Sequence, residues 1–126
     1  MSSFLFGPEP VQLGALYARV PVGIRAKQTL FDLLRAEFRF PDYCGNNWDA
    51  IEECIRDLSW LSPGTIVLVH NDLPLRDNPA ALRTYLSILE DASAKWRNNR
   101  DRRLVIVFPV EVEQHIENVL TATRDD

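Results

Sequence analysis

Histidine, cysteine and glycine are scarce in this chain: 126 residues include 2 His, 2 Cys and 5 Gly, and each shortage removes a class of chemistry. Two cysteines cannot hold a zinc ion unaided, and a metal site or histidine-based triad would have to draw on His70 and His115, which show no local ligand spacing. No glycine-rich phosphate loop is present, and no cofactor is implied. No apolar run approaches the roughly 20 residues that cross a bilayer. Met1-Ser2-Ser3-Phe4-Leu5-Phe6 lacks the basic start of a secretory leader and is broken by Gly7-Pro8-Glu9-Pro10. A basic surplus is missing too. Lys and Arg total 14 against 18 Asp and Glu, a net charge of -4, which argues against non-specific attraction to RNA or DNA and suits a basic partner. A cytoplasmic protein is expected, with Cys44 and Cys54 as reduced thiols.

What is present is a composition of 46% hydrophobic and 25% charged residues without a linker-like tract. That predicts one domain over residues 1–126, its core at about 13–108, with an extended N-terminal tail and a C-terminal helix added. Leu13 to Val20 has β character and stops at Pro21. Leu30, Phe31, Leu34 and Phe38 have helical spacing within Lys27 to Phe38. Thr65-Ile66-Val67-Leu68-Val69-His70 is a β-branched run expected to be a central strand buried on both faces. Pro79 opens a helix to about Trp96 with Leu82, Tyr85, Leu86 and Leu89 inward. Leu104 to Phe108 is a further strand, and Val112, Ile116, Val119 and Leu120 mark a short amphipathic helix that would be free to cover a sheet edge or face; the last residues are expected to fray. Strands separated by helices predict an α/β fold with a three-stranded parallel sheet flanked by helices, plus the additional C-terminal helix.

The most informative stretch is Phe40-Pro41-Asp42-Tyr43-Cys44-Gly45-Asn46-Asn47-Trp48-Asp49-Ala50-Ile51-Glu52-Glu53-Cys54-Ile55. Pro41 fixes a φ and Gly45-Asn46 tolerate positive φ, so the chain should bend and restart as a helix capped by Asn47. Trp48, Ile51, Cys54, Ile55 and Leu58 then form an apolar stripe at spacings of three and four, which turns Asp49, Glu52, Glu53 and Arg56 outward. The carboxylates begin in the first turn, where the helix dipole favours them. Acidic first turns are ordinary on surface helices, and Glu52 with Arg56 is an ordinary i, i+4 pair. Tyr43 distinguishes this face, because an aromatic on a turn beside a charged helix is a common recognition element.

In these residues the chain resembles the barstar family, intracellular protein inhibitors of barnase-type ribonucleases, which carry a proline, aromatic, glycine, asparagine, aspartate run of this spacing. The resemblance extends in pattern from about Leu16 to Phe108. It implies a non-enzymatic inhibitor whose helix plugs a nuclease active site where RNA phosphates would lie. By position, Asp49 matches the family's first-turn acid, Glu53 its central carboxylate, Tyr43 its loop aromatic, and Gly45 and Asn47 its loop glycine and helix-start asparagine. Asp91 aligns by helical spacing with a second acidic contact on a later helix, and Glu52 completes the set. The implied partner is a basic ribonuclease of extracellular or toxin type, bound one-to-one, without direct nucleic-acid or membrane contact; a monomer is favoured, and the residues leave the oligomeric state open. Departures are visible: Glu52 stands where the best-known member has tryptophan, Glu53 is one methylene longer than the usual aspartate, Arg56 replaces a small neutral residue, and Lys95 stands where an acid is expected.

Two other readings remain open at this stage. The same surface would serve a noncatalytic interaction module for a different basic protein, a reading motivated by Glu52, Arg56 and Lys95. A hydrolase site at His70-Asn71-Asp72, at the carboxyl end of the central strand, would use histidine as base, although no nucleophile motif accompanies it and a local turn explains these residues as well. The arginines within Arg97 to Arg103 read as a solvated connection.

Overall fold

The computed structural model describes residues 4–122; the chain end expected to fray lies outside them. Four parallel strands, β1 (Leu5–Phe6), β2 (Leu16–Val20), β3 (Gly64–His70) and β4 (Arg102–Phe108), form one sheet in the order β1-β4-β3-β2. Parallel neighbours need a long crossover. Helices α1 (Lys27–Glu37) and α2 (Trp48–Asp57) connect β2 to β3, and α3 (Pro79–Trp96) connects β3 to β4. A 3-10 turn at Val110–Val112 leads into α4 (Glu113–Ala122).

The sheet therefore has four strands where the sequence reading expected three. The added strand is β1, in what read as an extended tail. A two-residue strand has no periodicity to detect; its register, Leu5 opposite Val107 and Phe6 opposite Phe108, is set by the partner strand. Phe4 packs on Phe108 with ring centroids 5.2 Å apart. The first long strand also begins later than Leu13, at Leu16, because a turn in which the Ala15 N–H donates to the Gln12 carbonyl, with Gly14 at φ 80°, precedes it.

Burial on both faces of β3 follows from its alternation. Ile66 and Leu68, with Leu104, Ile106 and Phe108, join the main core with buried residues of all four helices, while Val67, Val69 and Val107 form a smaller cluster on the opposite face. Tyr17 packs on that second cluster, and its hydroxyl donates to the Pro10 carbonyl at 2.6 Å, which holds the N-terminal segment there. The C-terminal helix packs on α3, with Ile116 fully buried; the edge of β4 is covered by β1. Among the described residues no helix is long and apolar enough to cross a membrane.

Candidate functional site

The loop between α1 and α2 is fixed from several directions. The Cys44 N–H donates to the Pro41 carbonyl at 3.0 Å, closing the turn. From α1, the Arg35 guanidinium donates to the carbonyls of Cys44 and Gly45 at 3.1 and 3.3 Å, and the amides of Gln28 and Asn46 exchange hydrogen bonds at 2.8 and 3.0 Å. Asn47 is the N-cap: its extended backbone ends the loop and its Oδ1 accepts from the Ala50 N–H at 2.8 Å. Asn47→Ala removes an acceptor for an otherwise orphaned helix donor and is expected to cost about 1 kcal/mol, read as a lower urea midpoint at unchanged slope. Gly45 serves differently from the expectation of positive φ, which neither it nor Asn46 adopts. A Cβ on Gly45 would lie 3.1 Å from the Ala50 Cβ, so glycine suits the close approach of the loop to the first turn of α2, and a larger residue would need that turn to give by a few tenths of an ångström.

The two cysteines are joined. Cys44 and Cys54 form a disulfide with Cα atoms 6.6 Å apart, which corrects the expectation of free thiols. That expectation rested on compartment alone, whereas the turn from Pro41 to Asn47 folds Cys44 back over the buried stripe of α2 that carries Cys54. Both residues belong to the main core.

Outward from that stripe, Asp49 and Glu53 are exposed and Glu52 is half-buried. Together with Arg56, Asp57 and Lys95 they line a cleft of about 470 Å³ between α2 and α3. A neighbouring cleft of about 270 Å³ is shared by Asp49 and Glu52 with Arg83, Thr84, Ser87 and Asp91 of α3, so the tertiary structure brings Asp91 beside the α2 carboxylates. Tyr43, 74% exposed, stands on the preceding loop and lines neither cleft. Trp48 lies at the boundary with its ring edge-on to Phe31 at 4.8 Å.

Across the two clefts Asp49, Glu52, Glu53, Asp57 and Asp91 face Arg56, Arg83 and Lys95, so the surface keeps a net negative charge that its own cations reduce. Arg56 meets Glu52 only at 3.9 Å, with both side chains substantially solvated, a pair worth a few tenths of a kcal/mol. Lys95 keeps its charge at the cleft but makes no ion pair there: its Nζ donates to the Arg56 carbonyl at 2.8 Å and lies 5.0 Å from the centre of the Trp96 ring. Arg102, at the start of β4, donates to the carbonyls of Leu58, at 2.6 Å, and Leu61. Leu58 ends α2 in the left-handed region at φ 47°, so Lys95 and Arg102 satisfy carbonyls left open where the helix stops. Arg83, Thr84 and Ser87 were not singled out from sequence; Thr84, Ser87 and Asp91 have helical spacing, a signal that becomes specific only once α3 is known to flank α2.

His70 carries no accessible chemistry. It is 2% exposed, its ring stacks on Phe108 with centroids 3.9 Å apart, and both nitrogens are engaged, Nδ1 with the Val107 carbonyl at 3.0 Å and Nε2 with the Tyr85 hydroxyl at 2.7 Å. A carbonyl only accepts, so Nδ1 carries the proton and Nε2 accepts from Tyr85. Burial pushes the His70 pKa down to about 3, against the opposing effect of the Val107 bond. Burial pushes the Tyr85 hydroxyl the other way, well above its ordinary value. Burial would raise the Asp72 pKa, but hydrogen bonds from the Leu73 N–H at 2.8 Å and Arg76 at 2.6 Å hold its carboxyl below the usual range. His70 and Asp72 are thus a core residue and a turn former, which removes the hydrolase reading. Among the described residues no three His, Cys, Asp or Glu side chains converge on a metal-sized site.

Fold and surface together define a small parallel α/β domain whose prominent polar feature is an acidic helix start braced by a cross-linked loop. The profile of the family Barstar (barnase inhibitor) matches residues 21–109, and the chain belongs to that family. Its members are inhibitors that bind ribonucleases and are not enzymes. A search of curated proteins finds no significant match to the chain.

Proposed function

We propose that this protein inhibits a barnase-type ribonuclease by inserting α2 and its preceding loop into the nuclease active site. Asp49 and Glu53 would meet the lysines and arginines that bind RNA phosphates, Glu52 and Asp91 would extend the acidic surface, and Tyr43 would pack on the rim. Gly45 and Asn47 hold the geometry from behind. The reading is carried by the clustering of α2 carboxylates with Asp91 of α3 in a chain of the barstar family. A nuclease must present cations to its substrate, and an inhibitor that mirrors them gains on-rate and specificity. The whole chain acts as one domain and one monomer per nuclease in this proposal, in the cytoplasm, where a producing cell's own RNA needs protection in the manner of an antitoxin. Titration of barnase or a basic ribonuclease from the same genome is expected to abolish RNA cleavage at one equivalent. Full activity of every such nuclease in the presence of a molar excess of the protein would refute the proposal.

Arg56 and Arg83, set among the carboxylates, favour a second reading in which the same face binds a different basic protein that also offers an acidic group. Co-purification from the native host followed by identification of a partner without ribonuclease activity would select it.

A further inference from the structure

We propose that the Cys44–Cys54 disulfide is a redox-sensitive clamp on the partner-binding surface, closed by oxidation and opened by a dithiol reductant. Its effect on inhibition rests on the inhibitor reading above, whereas the clamp itself rests on the placement of the bond. The cysteines are 10 residues apart, and the ring they close contains Gly45, Asn47, Asp49, Glu52 and Glu53, with Tyr43 directly adjoining it. Of the proposed contact residues, Asp91 alone comes from another part of the chain.

The other attachments of the loop do not duplicate this one. Arg35 and Gln28 belong to α1 and tie the loop to that helix. The Asn47 cap and the approach of Gly45 to Ala50 reach only the first turn of α2. The disulfide instead joins the residue next to Tyr43 to Cys54, one position beyond Glu53. It therefore fixes the aromatic of the loop relative to the carboxylates of the helix, which is the relation a complementary partner would read.

Opening conserves atoms and electrons. A thiolate of the dithiol attacks one cysteine sulfur and releases the other as a thiol; the second thiol of the reductant then attacks the mixed disulfide, completes its own disulfide and frees the remaining cysteine. Two electrons and two protons pass to the protein. Cys44 and Cys54 are 7% and 5% exposed, so exchange requires the loop to lift. Once reduced, the thiols remain compatible with the core as small apolar groups, while the loop gains freedom that partner binding must remove again. Inhibition is accordingly weaker in a reducing cytoplasm and tighter under oxidation, the difference falling mainly on the off-rate.

The test compares the full chain in three forms: oxidised, reduced with two alkylatable thiols verified by mass, and Cys44→Ser/Cys54→Ser. In the free protein, hydrogen exchange at the amides of Cys44, Ala50 and Ile51 is expected to be at least tenfold faster in the second and third forms, beyond any change in α3. With barnase as probe, the inhibition constant of those forms is expected to rise at least tenfold. Two free thiols in air-purified protein, unchanged loop exchange, or a loosened loop with an unchanged inhibition constant would each overturn the proposal. Absence of inhibition by all three forms would remove the inhibitor reading instead, and the exchange measurement would still decide the clamp.

Discussion

Replacing Asp49 and Glu53 together by alanine is expected to weaken nuclease binding by about 3–5 kcal/mol, roughly 10²–10⁴-fold in Kd. The two side chains project from consecutive turns of the exposed face of α2 and would be desolvated against cations that have no other counterion in the complex. Close charge pairs between barnase and barstar couple by about 1.5–7 kcal/mol, a scale that belongs to that complex and is not deduced from this chain. Most of the loss should appear in the off-rate, with a smaller fall in on-rate that shrinks as salt screens long-range attraction. Folding should change little. Asp49 lies in the first turn, where its interaction with the helix dipole is worth a few tenths of a kcal/mol at an exposed site. Stopped-flow binding with parallel urea unfolding separates the two effects, and a double variant that binds as tightly as the parent would place the interface elsewhere.

Acidification is expected to destabilise the protein through His70, the one buried histidine of the core. The folded-state pKa is about 3 against an ordinary 6.5, so between these values the unfolded chain binds the proton and the native core excludes it. Stability from this group is therefore complete above pH 6.5 and falls by about 1.4 kcal/mol per pH unit on the way down toward pH 3. Carboxylates add their own dependence, which a variant at this position shares. His70→Gln should start less stable at pH 7, because the bonds to Val107 and Tyr85 are disturbed, and then lose less per pH unit than the parent. Parallel stability profiles for the two proteins between pH 6 and pH 4 would show that His70 is protonated in the native state.

The main elements and the start of the candidate site were legible in the residues because both depend on local rules. A stripe at spacings of three and four from Trp48 to Leu58 leaves Asp49, Glu52 and Glu53 nowhere but the outer face of α2. An asparagine immediately before that stripe has an acceptor at the right distance for the first free N–H groups. The β-branched run from Thr65 to His70 has no polar face, and only a strand covered on both sides accommodates it.

Relations between distant segments were not legible, since each depends on which elements become neighbours. Leu5 and Phe6 become a strand only because β4 presents an unpaired edge beside them. Lys95 read as a charge on the contact face and does line the acidic cleft, but its bond to the Arg56 carbonyl, where α2 ends near α3, had no local signal. Cys44 and Cys54 read as separate thiols until the turn at Pro41 and Gly45 brought their Cα atoms to 6.6 Å.

Periodicity, capping and charge thus settled that α2 exists, where it begins and which of its sides is acidic, since these follow from contacts within a few residues. Whether that acidic side gains Asp91, which cations share it and how the loop bearing Tyr43 is tied to α2 were settled by packing. Those distances span helices and strands far apart in the chain, and only the closing of one core fixes them together.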